Sequence, residues 1–213
     1  MFLLSFLPGH AAEDWAQFST YSKQNQDVIN HEKPKAVFMG NSITEGWAKF
    51  HPEFFAQNNF VGRGISGQTT YQMLLRFRDD VINLHPDFVV INGGTNDIAE
   101  NNHSYNEDRT FGNIVSMTEL AQANGIKVIL TSLLPASGFY WRKTITDVPS
   151  KIQSLNNRIR EYAQENNIPF INYYELMTRD NKSLNPDFTK DGVHPNLKGY
   201  AVMESLILPP LQK

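Results

Sequence analysis

The 213-residue chain contains no cysteine. Disulfides, a thiol nucleophile and thiolate metal sites are therefore excluded from these residues, and no cysteine is offered here to a lipid anchor. The six histidines are scattered, without the paired spacing of metal ligands, so neither a metal nor another cofactor is expected. The formal charge is only −3. That gives no reason to expect nucleic acid or an anionic membrane surface as a partner. No apolar run approaches the length of a membrane span, so no integral span is expected. Internal repeats, low-complexity tracts and linkers are missing too. What remains, residues 12–213, has the length of one domain and, at 40% hydrophobic residues overall, enough apolar surface for a core.

The first residues stand apart. Residues 1–7 are apolar, and Pro8-Gly9-His10-Ala11 follows. Small residues at Gly9 and Ala11 resemble the small-x-small site before a secretory cleavage point. The stretch is short and lacks a basic start. Residues 1–11 read either as the tail of a leader, which implies export, or as an apolar segment packed on the domain.

Apolar runs and helix-like runs alternate through the rest of the chain. Short strands are expected at 35–39, 58–61, 87–92, 126–130 and 169–172. Phe88-Val89-Val90-Ile91 is unbroken, as suits a strand buried on both faces of a parallel sheet. Helices are expected at 12–30, at 43–57 with an interruption at Pro52, at 69–84, at 105–124 with Gly125 as its stop, at 151–166, and at 196–208 with Asn196 as its cap. Residues 131–149 form a long irregular connection, and 173–191 an extended loop with room for a short helix. Five strands alternating with helices predict an α/β fold, a doubly wound parallel sheet with helices on both faces.

In such a sheet, functional groups gather beyond the carboxyl ends of the strands. Three polar or glycine-rich stretches directly follow expected strands: Gly40-Asn41-Ser42, Gly62-Arg63-Gly64 and Gly93-Gly94-Thr95-Asn96-Asp97. A fourth, Asp191-Gly192-Val193-His194, lies in the loop after the last strand. Acyl transfer is the chemistry that fits. Ser42 at a strand-to-helix turn is a candidate nucleophile, His194 its base, and Asp191 the group that orients the imidazole. Gly64 would let a backbone N–H approach an oxyanion closely, and the Asn96 amide and the Ser42 N–H are further donors. Each part has a plainer reading. Ser42 could be only a helix cap, His194 a surface histidine, Asp191-Gly192 and Asn96-Asp97 turn residues, and Arg63 a solvated charge.

Taken together, the four blocks resemble those of the SGNH, or GDSL-type, hydrolases, over about residues 35–208. The branch with Gly-Gly-Thr-Asn-Asp resembles platelet-activating-factor acetylhydrolase-like and lysophospholipase-like members. The resemblance implies a flavodoxin-like three-layer α/β/α sandwich and metal-free ester hydrolysis. It implies Ser42, Asp191 and His194 as catalytic residues, and Ser42, Gly64 and Asn96 as the oxyanion hole. The first block departs from the pattern: Gly-Asn-Ser-Ile stands where the family reads Gly-Asp-Ser-Leu. Carbohydrate acetylesterases share the same blocks, so the substrate class stays open between a short acyl ester, a carbohydrate ester and a lysophospholipid.

Residues near these blocks are candidates for substrate binding: Asn41 and Arg63, and the aromatic run Phe139-Tyr140-Trp141, whose rings could stack on a sugar, line an acyl pocket, or simply cover the sheet. Trp47, a little over one turn beyond Ser42, reads as core. Gly62-Arg63-Gly64-Ile65-Ser66-Gly67 also fits a dinucleotide-binding fingerprint, but it follows the second strand, and Asp87 lies at the wrong end of the next one. A non-catalytic carbohydrate-binding protein on the same fold is the remaining alternative.

Overall fold

The computed structural model describes residues 14–212. The apolar segment read as a leader remnant, 1–11, lies outside the described residues. In chain order the strands are β1 (Ala36–Gly40), β2 (Phe60–Gly64), β3 (Phe88–Ile91), β4 (Lys127–Thr131) and β5 (Phe170–Ile171). The helices are α1 (Ser22–Ile29), α2 (Ser42–Phe50), α3 (Pro52–Gln57), α4 (Thr70–Asp80), α5 (Thr95–Ile98), α6 (Glu107–Ala123), α7 (Val148–Glu165), α8 (Tyr173–Met177) and α9 (Leu197–Leu211).

The strands form one sheet in the order β2-β1-β3-β4-β5, with every pairing parallel. This is the doubly wound parallel sheet that the alternating pattern predicts, and the flavodoxin-like α/β/α sandwich that the resemblance implies. The alternation of side chains along each strand divides the core in two. Val37, Met39, Val89, Ile91, Val128 and Leu130 face a layer made by α4, α6 and α7. Phe38, Val90 and Ile129 face α2, α3, α8 and α9. The second layer is rich in rings: Trp47 stacks on Phe54 and Tyr200, at 5.4 and 5.8 Å between centroids, and Phe38 meets it edge-on. Each large apolar side chain removed from water contributes about 1.5–3 kcal/mol, so both faces of the sheet are firmly covered.

From β1 the chain crosses to β2 on one side, then returns past β1 to β3 on the other. The carboxyl ends of β1 and β3 therefore flank the point where the winding reverses, and a crevice opens there. Gly40 is level with Gly64, and Met39 with Ile91, so the loops after these strands start from nearly one height.

Some boundaries differ from the sequence expectation. Pro52 does more than interrupt the 43–57 helix: it starts α3, since a ring without an N–H suits a first helical turn. Of the described residues 14–30, only Ser22–Ile29 is helical. Before it the Asp14 carboxylate accepts the N–H groups of Phe18 and Ser19 and folds the chain into turns. The Gly93-Gly94 stretch, read as loop, carries the single turn α5. Asn196 caps α9 as expected, its side chain accepting the Gly199 N–H at 3.1 Å.

Close packing makes a stability prediction. A Cβ on Gly64 would lie 2.2 Å from the Glu45 nitrogen and 2.6 Å from the Asn41 carbonyl, all backbone, whereas one on Gly112 in α6 meets nothing within 4 Å. In urea unfolding Gly64→Ala should cost on the order of 3 kcal/mol, as overpacking against backbone does. Gly112→Ala should gain about 0.5–1 kcal/mol from helix propensity. Equal effects would contradict the packing described.

Candidate active site

The Asn41 side chain, not Ser42, caps α2: its Oδ1 accepts the Ile43 N–H at 3.0 Å. Ser42 is thereby the first helical residue, with its hydroxyl free of capping duty and its Oγ 3.0 Å from His194 Nε2. His194 comes from the loop before α9, and the sequence shapes this loop locally. Asp191 Oδ1 accepts the N–H groups of Val193 and His194 at 2.9 and 2.8 Å, closing a tight turn in which Gly192 takes φ +82°. The Thr189 hydroxyl donates to the His194 carbonyl at 2.8 Å. The other Asp191 oxygen, Oδ2, lies 2.7 Å from His194 Nδ1.

These contacts set the electrostatics. Burial alone would raise the Asp191 carboxylate, but the hydrogen bonds from the His194 N–H, the His194 ring and the Val193 N–H outweigh it, so its pKa is held below the ordinary value. With Nδ1–H donated to an ionised carboxylate, the Nε2 lone pair faces the Ser42 hydroxyl. Asp191 and His194 side chains are each about one-third exposed, so the line of three groups runs from the rim inward.

A hollow of about 330 Å³ opens over Ser42 and His194, walled by Ser66, Gly67, Asn96, Asn101, Tyr140 and Trp141. Asn96, on α5, donates one amide hydrogen to the Gln68 carbonyl at 2.9 Å and keeps the other. Ser42 N–H is a first-turn helix donor without an intrahelical partner. Gly67 N–H also has no acceptor among the described residues. Trp141 lies 6.1 Å from the His194 ring and donates its Nε1–H to Asn101, which donates in turn to the Gly67 carbonyl at 3.2 Å. A second hollow of about 230 Å³, lined in part by Glu45, Lys49, Phe50 and Pro195, borders the same Ser42–His194 pair.

The structure thus brings together Ser42, Asn96, Tyr140, Trp141, Asp191 and His194. Four sequence candidates are corrected. Gly64 is still inside β2, pressed against the first turn of α2, and its carbonyl accepts the Tyr21 hydroxyl; it does not line either hollow at Ser42. Arg63 is buried at 4% exposure. Its guanidinium bonds Asn25 and the Gly62 carbonyl and lies over the Tyr21 ring, and burial pushes it down to about 10, so it has no access to substrate. Asn41 is buried as the cap described above. Phe139, 2% exposed, belongs to the core cluster that α7 helps to form; of the aromatic run only Tyr140 and Trp141 reach the hollow.

Gly67, Ser66 and Asn101 were missed. Gly67 is the first glycine beyond the end of β2 and the one in its run with positive φ, +79°, and both features emerge only with the fold. Asn101 had no signal, because nothing local distinguishes it from Asn102.

A model of the GDSL-like lipase/acylhydrolase family matches residues 38–202. The chain belongs to that family. All four blocks fall inside the matched span. Among solved structures of similar fold, a GDSL-like lipase of Bacteroides thetaiotaomicron VPI-5482 is 59% identical, with a TM-score of 0.89 over 92% of this chain and 98% of its own. A candidate acylhydrolase of Bacteroides fragilis NCTC 9343 is also 59% identical, with a TM-score of 0.90 over 94% of this chain and 98% of its own. An uncharacterized lipoprotein of Bacillus subtilis, YqeF, is 29% identical over 143 residues, 63% of this chain and 56% of its own. The chain spans about half the length of the curated relatives it matches. Family membership and the names of these neighbours support an ester hydrolase.

The Asp191 turn generates a pH prediction. A carboxylate whose folded pKa is lowered adds stability above its unfolded pKa, about 3.9, and loses it as the pH falls through the folded value. The difference in urea midpoint between the wild type and Asp191→Asn should therefore be full above about pH 5 and narrow as the pH drops below roughly 3.9. A difference that widened on acidification would contradict the direction of the shift.

Proposed function

We propose that this chain is a serine esterase that hydrolyses short acyl esters, acetyl foremost, through an acyl-enzyme. The observation that carries the reading is the continuous line Ser42 Oγ–His194 Nε2 at 3.0 Å and His194 Nδ1–Asp191 Oδ2 at 2.7 Å, with three free donors beside it. His194 takes the hydroxyl proton as Ser42 attacks the ester carbonyl. The imidazolium so formed is stabilised by Asp191. Negative charge on the carbonyl oxygen is met by the Ser42 N–H, the Gly67 N–H and the Asn96 amide, at the positive end of α2. His194 then protonates the departing alcohol, and the same residue draws a proton from the water that releases the acid.

The walls of the site favour a small acyl group on a polar alcohol. Beyond Trp141 and Asn101 the hollow continues into a trough lined by Gln17, Gln72, Asn102 and Arg142. Carboxamides with an aromatic ring suit hydroxylated substrates such as sugars better than an alkyl chain. Export is part of the same reading. It is supported by the apolar 1–11 stretch and by the lipoprotein YqeF among the relatives; among the described residues no helix is long and apolar enough to cross a membrane.

A series of p-nitrophenyl esters from acetate to palmitate tests the reading. Activity should fall steeply beyond butyrate and vanish in Ser42→Ala with the fold intact. Asp191→Asn should lose less than His194→Ala, and Asn96→Ala about a hundred- to a thousandfold in kcat. Rates that rise with chain length would shift the substrate to a lysophospholipid-like lipid. Near-wild-type turnover in His194→Ala would remove the triad.

A further inference from the structure

Arg76 is fully buried on α4, and none of its hydrogen bonds among the described residues goes to Ser42 or His194. Its Nε donates to the Gln68 side-chain oxygen at 2.6 Å. One terminal nitrogen donates to the Arg63 carbonyl at 3.0 Å and to Asp80 at 2.8 Å, and the other to the Gly40 carbonyl at 2.9 Å. Asp80 lies on the same helix, and the other three acceptors lie on segments that lead into the site. Gly40 ends β1 two residues before Ser42. Arg63 is one residue from the end of β2. Gln68 follows Gly67, and its own carbonyl holds the Asn96 amide at 2.9 Å. One guanidinium is therefore bonded to the segment that carries each of the two backbone oxyanion donors, and through Gln68 it reaches the third.

Burying an arginine is costly, and well-packed apolar residues often serve stability as well or better. Asp80 offsets the charge, and is itself held by Asn25. A rigid planar fork offers what an apolar side chain cannot: fixed angles to several carbonyls at once. Glu45 grips the same loop from α2, accepting both the N–H and the hydroxyl of Ser66.

We infer that Arg76 is a positioning residue, which sets the spacing of the Ser42, Gly67 and Asn96 donors around the oxyanion. The inference rests on the esterase reading above and adds a residue outside the reacting groups. A shift of about 1 Å in such donors is enough to cost on the order of a hundredfold in rate.

The test compares wild type, Arg76→Lys, Gln68→Met and the double variant on p-nitrophenyl acetate. Active sites are counted by labelling Ser42 to completion with a fluorophosphonate. Arg76→Lys keeps a charge beside Asp80 but lacks the fork. Gln68→Met leaves the Arg76–Asp80 pair in place and removes the Arg76–Gln68 bond, together with the bond from the Gln68 amide to the Ala16 carbonyl, so it carries the test should Arg76→Lys not fold. Each variant should lose about 10- to 100-fold in kcat per labelled site with KM changed less than about threefold. The double variant should be no worse than the poorer single one, as for residues acting in one chain of contacts. The pH profile should keep its shape, because His194 and Asp191 are untouched. Wild-type kcat per labelled site, with only fewer sites, would make Arg76 a structural residue and overturn the inference, as would a loss confined to KM. A wild type without Ser42-dependent turnover would instead overturn the esterase reading, and the positioning role with it.

Discussion

The hydrogen bond between Ser42 and His194 joins residues 152 positions apart, and no local preference can produce it. It depends on how α9 is fastened to α2. Tyr200 donates its hydroxyl to the Ile43 carbonyl at 3.0 Å, and Trp47 donates its indole N–H to Glu204 at 2.9 Å. The same carboxylate bonds His51 at 2.7 Å, and the Trp47 and Tyr200 rings stack. The helix that carries the nucleophile and the helix that follows the base are thus one packed unit on one face of the sheet. Buried polar contacts of this kind tolerate few alternative arrangements, because a slip leaves donors and acceptors unpaired in a low dielectric. The rings contribute most of the attraction, and the hydrogen bonds fix the register.

The oxyanion side is held by the opposite face. Residues 65–68 leave β2 and turn under α4, whose first N–H groups need acceptors. Asp97 supplies one of them: its carboxylate accepts the N–H and hydroxyl of Thr70, at 2.9 and 2.6 Å. Burial raises the Asp97 carboxyl against these bonds. Its neighbour Asn96 faces the hollow while Asp97 faces the helix end. A single turn of helix therefore serves both the fold and the site, which explains why a polar pair follows two glycines there. Gly94, at φ +118°, lets the chain reverse tightly enough to do it.

The sheet was legible in the sequence because its strands are buried on both faces, and unbroken apolar runs such as Phe88 to Ile91 have few other uses. Ser42, Asn96, Asp191 and His194 were legible because each follows a strand end or sits in a turn of small and polar residues. Gly64 and Gly67 are three residues apart, and choosing between them needs the last paired residue of β2, which depends on its partner Gly40 rather than on its own neighbours. Arg63 looked free because charge is normally solvated, yet alternation along β2 turned it inward, where Asn25 and Tyr21, some forty residues earlier, receive it. Phe139 and Trp141 differ by burial alone. That depends on the path of a long irregular connection, and no periodicity reports it.

Asn41 shows why a change within a motif can leave the local structure standing. Capping α2 needs one oxygen that accepts the Ile43 N–H, and the amide oxygen provides it as well as a carboxylate would. The amide nitrogen is buried without an acceptor among the described residues, an orphan group of the kind that costs about 1–3 kcal/mol. Against this stands the charge. An aspartate at position 41 would place a fixed negative charge one residue from the serine, close to where the proposed mechanism develops a second one, while gaining from the helix N-terminus. The asparagine keeps the cap and the turn geometry, gives up the dipole interaction, and leaves the positive end of α2 uncompensated for the oxyanion.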